Sequence, residues 1–107
     1  MRFPVLLIAG LLGACIAVPP QPAIGLSYGD LRLESRDGRA ALRQRVVQAA
    51  RDYCAEYGAE TTPHAARADP VYCLDMFRSW IVGEMPPAVR RAYFQARREA
   101  GVRGRQL

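Results

Sequence analysis

The chain has 107 residues and a net charge of +5. That length excludes several independent domains, and a domain this small buries a modest share of its surface and is marginal without a covalent or metal staple. All fifteen basic residues are arginine, with no lysine or asparagine anywhere, so the basic character partly reflects codon bias. It still attracts anionic surfaces, and it is concentrated late: from Pro86 onward there are six arginines and a single acid, Glu99.

Arg2 is the only charge before residue 30, and Val5 to Val18 is apolar or small throughout. Fourteen residues are too few to cross a hydrocarbon core of about 30 Å, which takes a helix of about 20. A basic start, a short apolar run and small residues at its end have the form of a secretory signal over residues 1–17. Leu12-Gly13-Ala14-Cys15 resembles a bacterial lipobox, which makes Cys15 the candidate lipidation site and membrane tether. Ordinary cleavage after Ala17 is the rival route. A buried N-terminal helix, ended by Pro19, Pro20 and Pro22, is the bland one. Residues 18–23 read as a stiff, proline-rich lead, and 24–100 as one small helical domain.

Ile24 to Glu34 alternates apolar and polar residues, which predicts one extended stretch or two short strands broken at Gly29-Asp30. Ser35 or Asp37 can then cap a first helix from about Gly38 to Glu56, with Gly58 as its stop. Its apolar stripe is Leu42, Val46, Ala49, Ala50, Tyr53, Cys54 and Tyr57, with Arg39, Arg43, Arg45 and Arg51 mostly off it. Residues 59–68 form a loop or weak turn broken at Thr61-Thr62-Pro63, where His64 is a solvated side chain. A second helix begins near Asp69-Pro70, turns Cys73, Phe77, Trp80 and Ile81 inward and ends at Gly83. Pro86-Pro87 opens a third, with Val89, Ala92, Tyr93 and Ala96 inward and Arg90, Arg91, Arg97 and Arg98 outward. Residues 101–107 are expected to fray as a basic tail. Aromatic residues at helical spacing read first as core.

Both cleavage routes remove Cys15 from thiol chemistry. Cys54 and Cys73 then form a leftover pair in an oxidising compartment, which favours a disulfide. Cys54 lies late on the first apolar stripe and Cys73 opens the second, so antiparallel packing brings them together. A redox site would use a close Cys-x-x-Cys, which is absent, and a metal site drawing on His64 would have three scattered ligands without a recognised spacing.

The segment Leu26-Ser27-Tyr28-Gly29-Asp30-Leu31-Arg32-Leu33-Glu34-Ser35-Arg36-Asp37-Gly38-Arg39-Ala40-Ala41-Leu42 resembles the opening of the UrcA family, small exported bacterial proteins. Arg45, Val46, Ala49, Ala50, Arg51 and Cys54 fit that family's Ala/Arg-rich helix, and Cys73 fits its second cysteine; Ala55 stands where members often carry glycine. The resemblance covers about half of the exported chain. It implies export, paired cysteines and a small, mainly helical fold, with no established enzymatic activity and therefore no catalytic residue to carry over. In Tyr28-x-Asp30-Leu31-x-Leu33 the leucines can pin the extended segment to the helices while Asp30 turns or caps the chain, and a reading in which Tyr28 and Asp30 face a ligand is the alternative.

The expected architecture is thus mainly α: a short extended segment followed by two or three helices in a small disulfide-stapled hairpin or bundle. No nucleophile–base pair, carboxylate pair, phosphate loop or metal cluster stands out, so neither enzyme chemistry nor a cofactor is expected. The expected role is a non-enzymatic, exported, periplasmic envelope protein, or an outer-membrane lipoprotein where Cys15 is lipidated, that serves interaction or envelope stress response with an unknown protein or envelope component as partner. The alternative is a binder of anionic partners such as lipopolysaccharide or anionic lipid through Arg90, Arg91, Arg97 and Arg98, export arguing against nucleic acid.

Overall fold

The computed structural model describes residues 26–107; the signal segment with Cys15, the proline lead and residues 24–25 lie outside the described residues. The fold is mainly helical: α1 spans Arg36–Thr61, α2 Tyr72–Glu84 and α3 Pro87–Glu99, with a single 3₁₀ turn, His64–Ala66, between α1 and α2. Both short helices pack mainly on α1 and touch each other little. The core is one cluster: Leu42, Val46 and Ala50 from α1, Phe77, Ile81 and Val82 from α2, and Val89, Ala92 and Tyr93 from α3, with Met85 at the α2–α3 corner.

Before α1 the two short strands, one of the two expected forms, do not form: no strand is present among the described residues, and the segment is a non-helical stretch with turns. A lone strand leaves its backbone donors and acceptors unpaired. Here two turns use some of them instead: Leu31 N–H donates to Tyr28 O at 3.0 Å and Ser35 N–H to Arg32 O at 3.1 Å. Leu26, Tyr28, Leu31 and Leu33 nonetheless pack against the core, as the pinning role requires.

Ser35 starts α1: its hydroxyl accepts from Gly38 N–H at 3.0 Å and donates to Arg32 O at 2.8 Å. Gly38 is required, because a Cβ there would lie 1.8 Å from Arg32 O. The helix passes through Gly58 and runs five residues beyond the expected Glu56, to Thr61. Proline sets the true end, since Thr62 precedes Pro63 and is held extended at φ −89°, ψ 115°. The same rule ends α2. Gly83 is helical, and Met85, before Pro86, is the extended C-cap. At the start of α2 the expected Asp69 cap with Pro70 in the first turn is displaced. Asp69 Oδ1 accepts from Val71 N–H at 3.1 Å, making a turn ahead of a helix whose cap position is Val71. Pro86 and Pro87 open α3 as expected.

Two aromatic expectations are overturned. Tyr57 is 41% and Trp80 51% exposed, because each is the outer neighbour of a ring, Tyr53 or Phe77, that takes the inner place. Val47, by contrast, is buried and widens the α1 face.

The frayed tail is also corrected. Gly101, at φ +71°, reverses the chain after α3. Gly101 N–H donates to Arg98 O at 3.1 Å and Val102 N–H to Arg97 O at 2.9 Å, a Schellman closure of the helix. The chain then returns across the bundle. Arg97 Nη2 donates to Gly104 O at 2.6 Å, Arg43 Nη2 donates to Leu107 O at 2.7 Å, and Leu107 packs against the core. Arg105 pairs with both Asp69 and Asp75, at 2.8 and 2.9 Å, tying the tail to the start of α2.

The Cys54–Cys73 disulfide joins α1 to α2 across a separation of 19 residues, with the Cα atoms 5.9 Å apart. Removing it as Cys54→Ala/Cys73→Ala is expected to lower the unfolding free energy by roughly 3 kcal/mol in urea titrations. An unchanged urea midpoint would contradict a stapling role. Deleting residues 102–107 is expected to cost about 2 kcal/mol or more, because the Arg43 and Arg97 guanidinia lose their carbonyl acceptors. A frayed tail would leave the midpoint where it was.

Candidate functional site

Among the described residues a groove of about 820 Å³ runs along α1, closed on one side by the Leu26–Asp30 segment. Its floor is Ala49 and Tyr53, and its rim carries Gln48, Asp52, Glu56 and Tyr57. These residues recur at steps of three and four on one helix, so a single face presents all of them.

Tyr53 is the centre of an aromatic ladder. Its ring is 5.1 Å from Tyr57 and stacks on Phe77 at 4.3 Å, and Phe77 lies 5.7 Å from Trp80. The two inner rings fill the seam between α1 and α2 beside the disulfide, while the outer two are the exposed ones. A second hollow of about 170 Å³ continues past Leu26 to Tyr28, Trp80 and Glu84. The ladder therefore links core packing to an apolar surface strip with acidic margins.

One wall of the groove is an ion pair. Arg45 donates from Nη1 to Asp30 Oδ1 and from Nη2 to Asp30 Oδ2, both at 2.7 Å, and Nη1 also reaches Ser27 O at 2.7 Å. The hydrogen bond from Arg45 pulls the Asp30 carboxyl down from 3.8 to about 2. Asp30 thus holds the N-terminal segment on α1 as well as turning the chain. The pair also neutralises Arg45, the cation that lines the groove among the described residues. Asp52 and Glu56 are left to set its charge. Asp52 accepts from Gln48 Nε2 at 2.8 Å, and Glu56 beside the Tyr57 hydroxyl raises that phenol above its usual value.

The four arginines expected to bind anions together are separated by the structure. Arg90 is half-buried and closes the end of α2, donating from Nε to Val82 O at 3.2 Å and from Nη2 to Gly83 O and Met85 O at 3.0 and 3.1 Å. The last carbonyls of a helix lack the full set of intrahelical partners; Val82 O here also accepts from Met85 N–H at 3.2 Å, and a cation there also suits the helix dipole. Arg97 is buried, 6% exposed, and holds the tail. Arg91 and Arg98 alone face outward, on either side of Phe94, which is 43% exposed. Periodicity placed all four outside because it cannot register the carbonyl acceptors that draw Arg90 and Arg97 inward.

The acidic groove escaped sequence reasoning, although its signal is in the chain: Asp52, Glu56 and Glu60 at four-residue steps beside Tyr53 and Tyr57. His64 is exposed as expected, and among the described residues no three His, Cys, Asp or Glu side chains are grouped to hold a metal ion. Cys54 and Cys73 are brought together as a bond.

Carboxylates held by arginine make stability acid-sensitive. Asp69 is lowered by Arg105 and Glu99 by Arg39; burial works against Asp75, but hydrogen bonds from Arg105 and Arg78 outweigh it. A depressed folded-state value adds stability that is complete above the unfolded value and is lost as pH falls through the folded one. Asp30→Asn is therefore expected to be less stable than the parent at pH 7, with the difference fading between 3.8 and about 2. Thermal melts of both chains over that range check this, and a constant gap would contradict it.

No family model matches the chain, and no curated protein or solved structure is significantly similar to it.

Proposed function

We propose that this chain is a non-enzymatic, exported envelope protein whose work is binding, an interaction module of the periplasm or of a lipid-tethered form anchored through Cys15. The observation that carries the reading is the groove over α1: exposed aromatic surface, rimmed by Asp52 and Glu56, on a helix held by the disulfide. Apolar area with a charged margin is the composition of a contact surface. The sign of that margin suits a partner presenting cationic and apolar side chains together. The sequence resemblance to UrcA proteins supports export, and with it the assignment to the envelope. A second reading, an anionic envelope partner, retains Arg91 and Arg98 from the original four, because these two project from α3 beside exposed Phe94.

The test has two arms. Intact mass of the protein recovered from its native host is expected to lack the N-terminal apolar segment and to gain a pair of hydrogens on reduction. An unprocessed chain would overturn export. Replacing Asp52 and Glu56 by arginine is expected to change stability by less than about 0.5 kcal/mol, as both are exposed, yet to fail to complement a deletion strain. Full complementation would overturn the role of the groove.

A further inference from the structure

We propose that the groove's partner is a second copy of this chain, which presents the Arg91–Phe94–Arg98 face of its α3 to Asp52, Glu56 and Tyr57. This rests on reading the groove as a contact surface.

Arg91, Phe94 and Arg98 are three and four residues apart, so they share one face of α3, and all three are exposed. Among the described residues Arg36, Arg39, Arg45, Arg78 and Arg105 pair with carboxylates, and Arg43, Arg90 and Arg97 bind backbone carbonyls. Arg32, Arg51, Arg67 and Arg103 have neither kind of partner, and nor have Arg91 and Arg98. Arg91 and Arg98 flank an unburied aromatic ring, which is the inverse of the groove: cations around an apolar knob against carboxylates around an apolar slot.

The spacings match. Seven residues separate the two arginines, about 10.5 Å along the helix. Asp52 and Glu56 are separated by about 6 Å, and Glu60 extends the acidic row to about 12 Å. An α3 laid antiparallel on α1 sets Arg98 near Asp52 and Arg91 near Glu60, with Phe94 beside Glu56 and over Tyr53 and Tyr57. Within one chain the faces do not meet. Phe94 borders one hollow with Arg78 and Gly83 and another with Leu33 and Ala88, and none of these residues lines the groove.

The net charge of +5 opposes self-association. At physiological salt, however, the Debye length is about 8 Å, so distant charges are screened while pairs in contact still attract. Because the two patches differ, the contact is head-to-tail and either closes into a ring or continues as a chain of copies.

Sedimentation velocity of the mature protein over a concentration series tests this. The parent is expected to gain mass with concentration. Arg91→Glu/Arg98→Glu and Asp52→Arg/Glu56→Arg, each with native circular dichroism, are each expected to weaken association about tenfold or more. Mixed together the two variants are expected to associate again, since a reversed helix face then meets a reversed groove and the unaltered faces remain complementary. A parent that stays monomeric, or a mixture that stays monomeric, overturns the proposal. If the groove variant alone fails to complement the deletion strain while Arg91→Glu/Arg98→Glu complements fully, self-docking falls and the groove's role with another cationic partner stands. If the arginine variant instead loses only sedimentation with phosphatidylglycerol vesicles and the parent does not self-associate, the α3 face serves a membrane and self-docking falls.

Discussion

The bond between Cys54 and Cys73 is the constraint on which the rest of the arrangement leans. α1 is twice as long as either partner helix, 26 residues against 13, and its second half extends beyond the reach of α3. Without a tie near Cys54, that half would be held only by packing against α2 and the Leu26–Asp30 segment. The disulfide fixes the start of α2 against it, and this register lets Phe77 stack on Tyr53. The groove follows, because Tyr53, anchored from below, forms a floor that Tyr57, Asp52 and Glu56 surround.

At the opposite end the work is done by arginine. Glu99 accepts from Arg39 at 2.9 Å, joining the end of α3 to the start of α1, and Arg39 also reaches Leu33 O and Glu34 O. Arg43, Arg90 and Arg97 capture carbonyls at the tail and at the end of α2. A planar fork with five donors suits such multiple capture better than an ammonium does. The all-arginine composition therefore has structural uses. Buried guanidinium is costly unless its donors are satisfied, and Arg97 Nη1 and Arg43 Nε have no hydrogen-bond partner. These contacts specify where the tail lies more than they add to net stability.

What the sequence made legible was governed by local rules. The Ser35 cap, the proline-led α3, the α1 stripe through Leu42, Val46 and Ala50 and the cysteine pairing all depend on residue type and short-range spacing. The misplacements depend on contacts distant in sequence. Glycine was read as a helix terminator at Gly58 and Gly83, whereas the next proline decides the end in both cases. The tail looked free because its anchors, Arg43, Asp69 and Asp75, lie about 30 to 60 residues earlier. Trp80 and Tyr57 looked buried because spacing identifies a helix face without saying how far its partner helix extends.

Charge count and charge placement point in different directions. A sum of +5 suggests a cationic protein looking for an anion. Placement among the described residues engages eight arginines within the fold and leaves the groove over α1 acidic. Desolvation favours this division: a guanidinium satisfied by carbonyls inside the fold no longer offers all its donors outside, so composition overstates the cationic surface available. The strongest surface signal is then the contrast between two faces. Asp52 and Glu56 border aromatic rings on α1, while Arg91 and Arg98 border one on α3. Apolar area supplies attraction on both, and the opposite signs of their margins decide which surfaces are compatible. A face built this way discriminates against its own like and accepts its opposite, which gives specificity to a surface whose apolar part alone would have little.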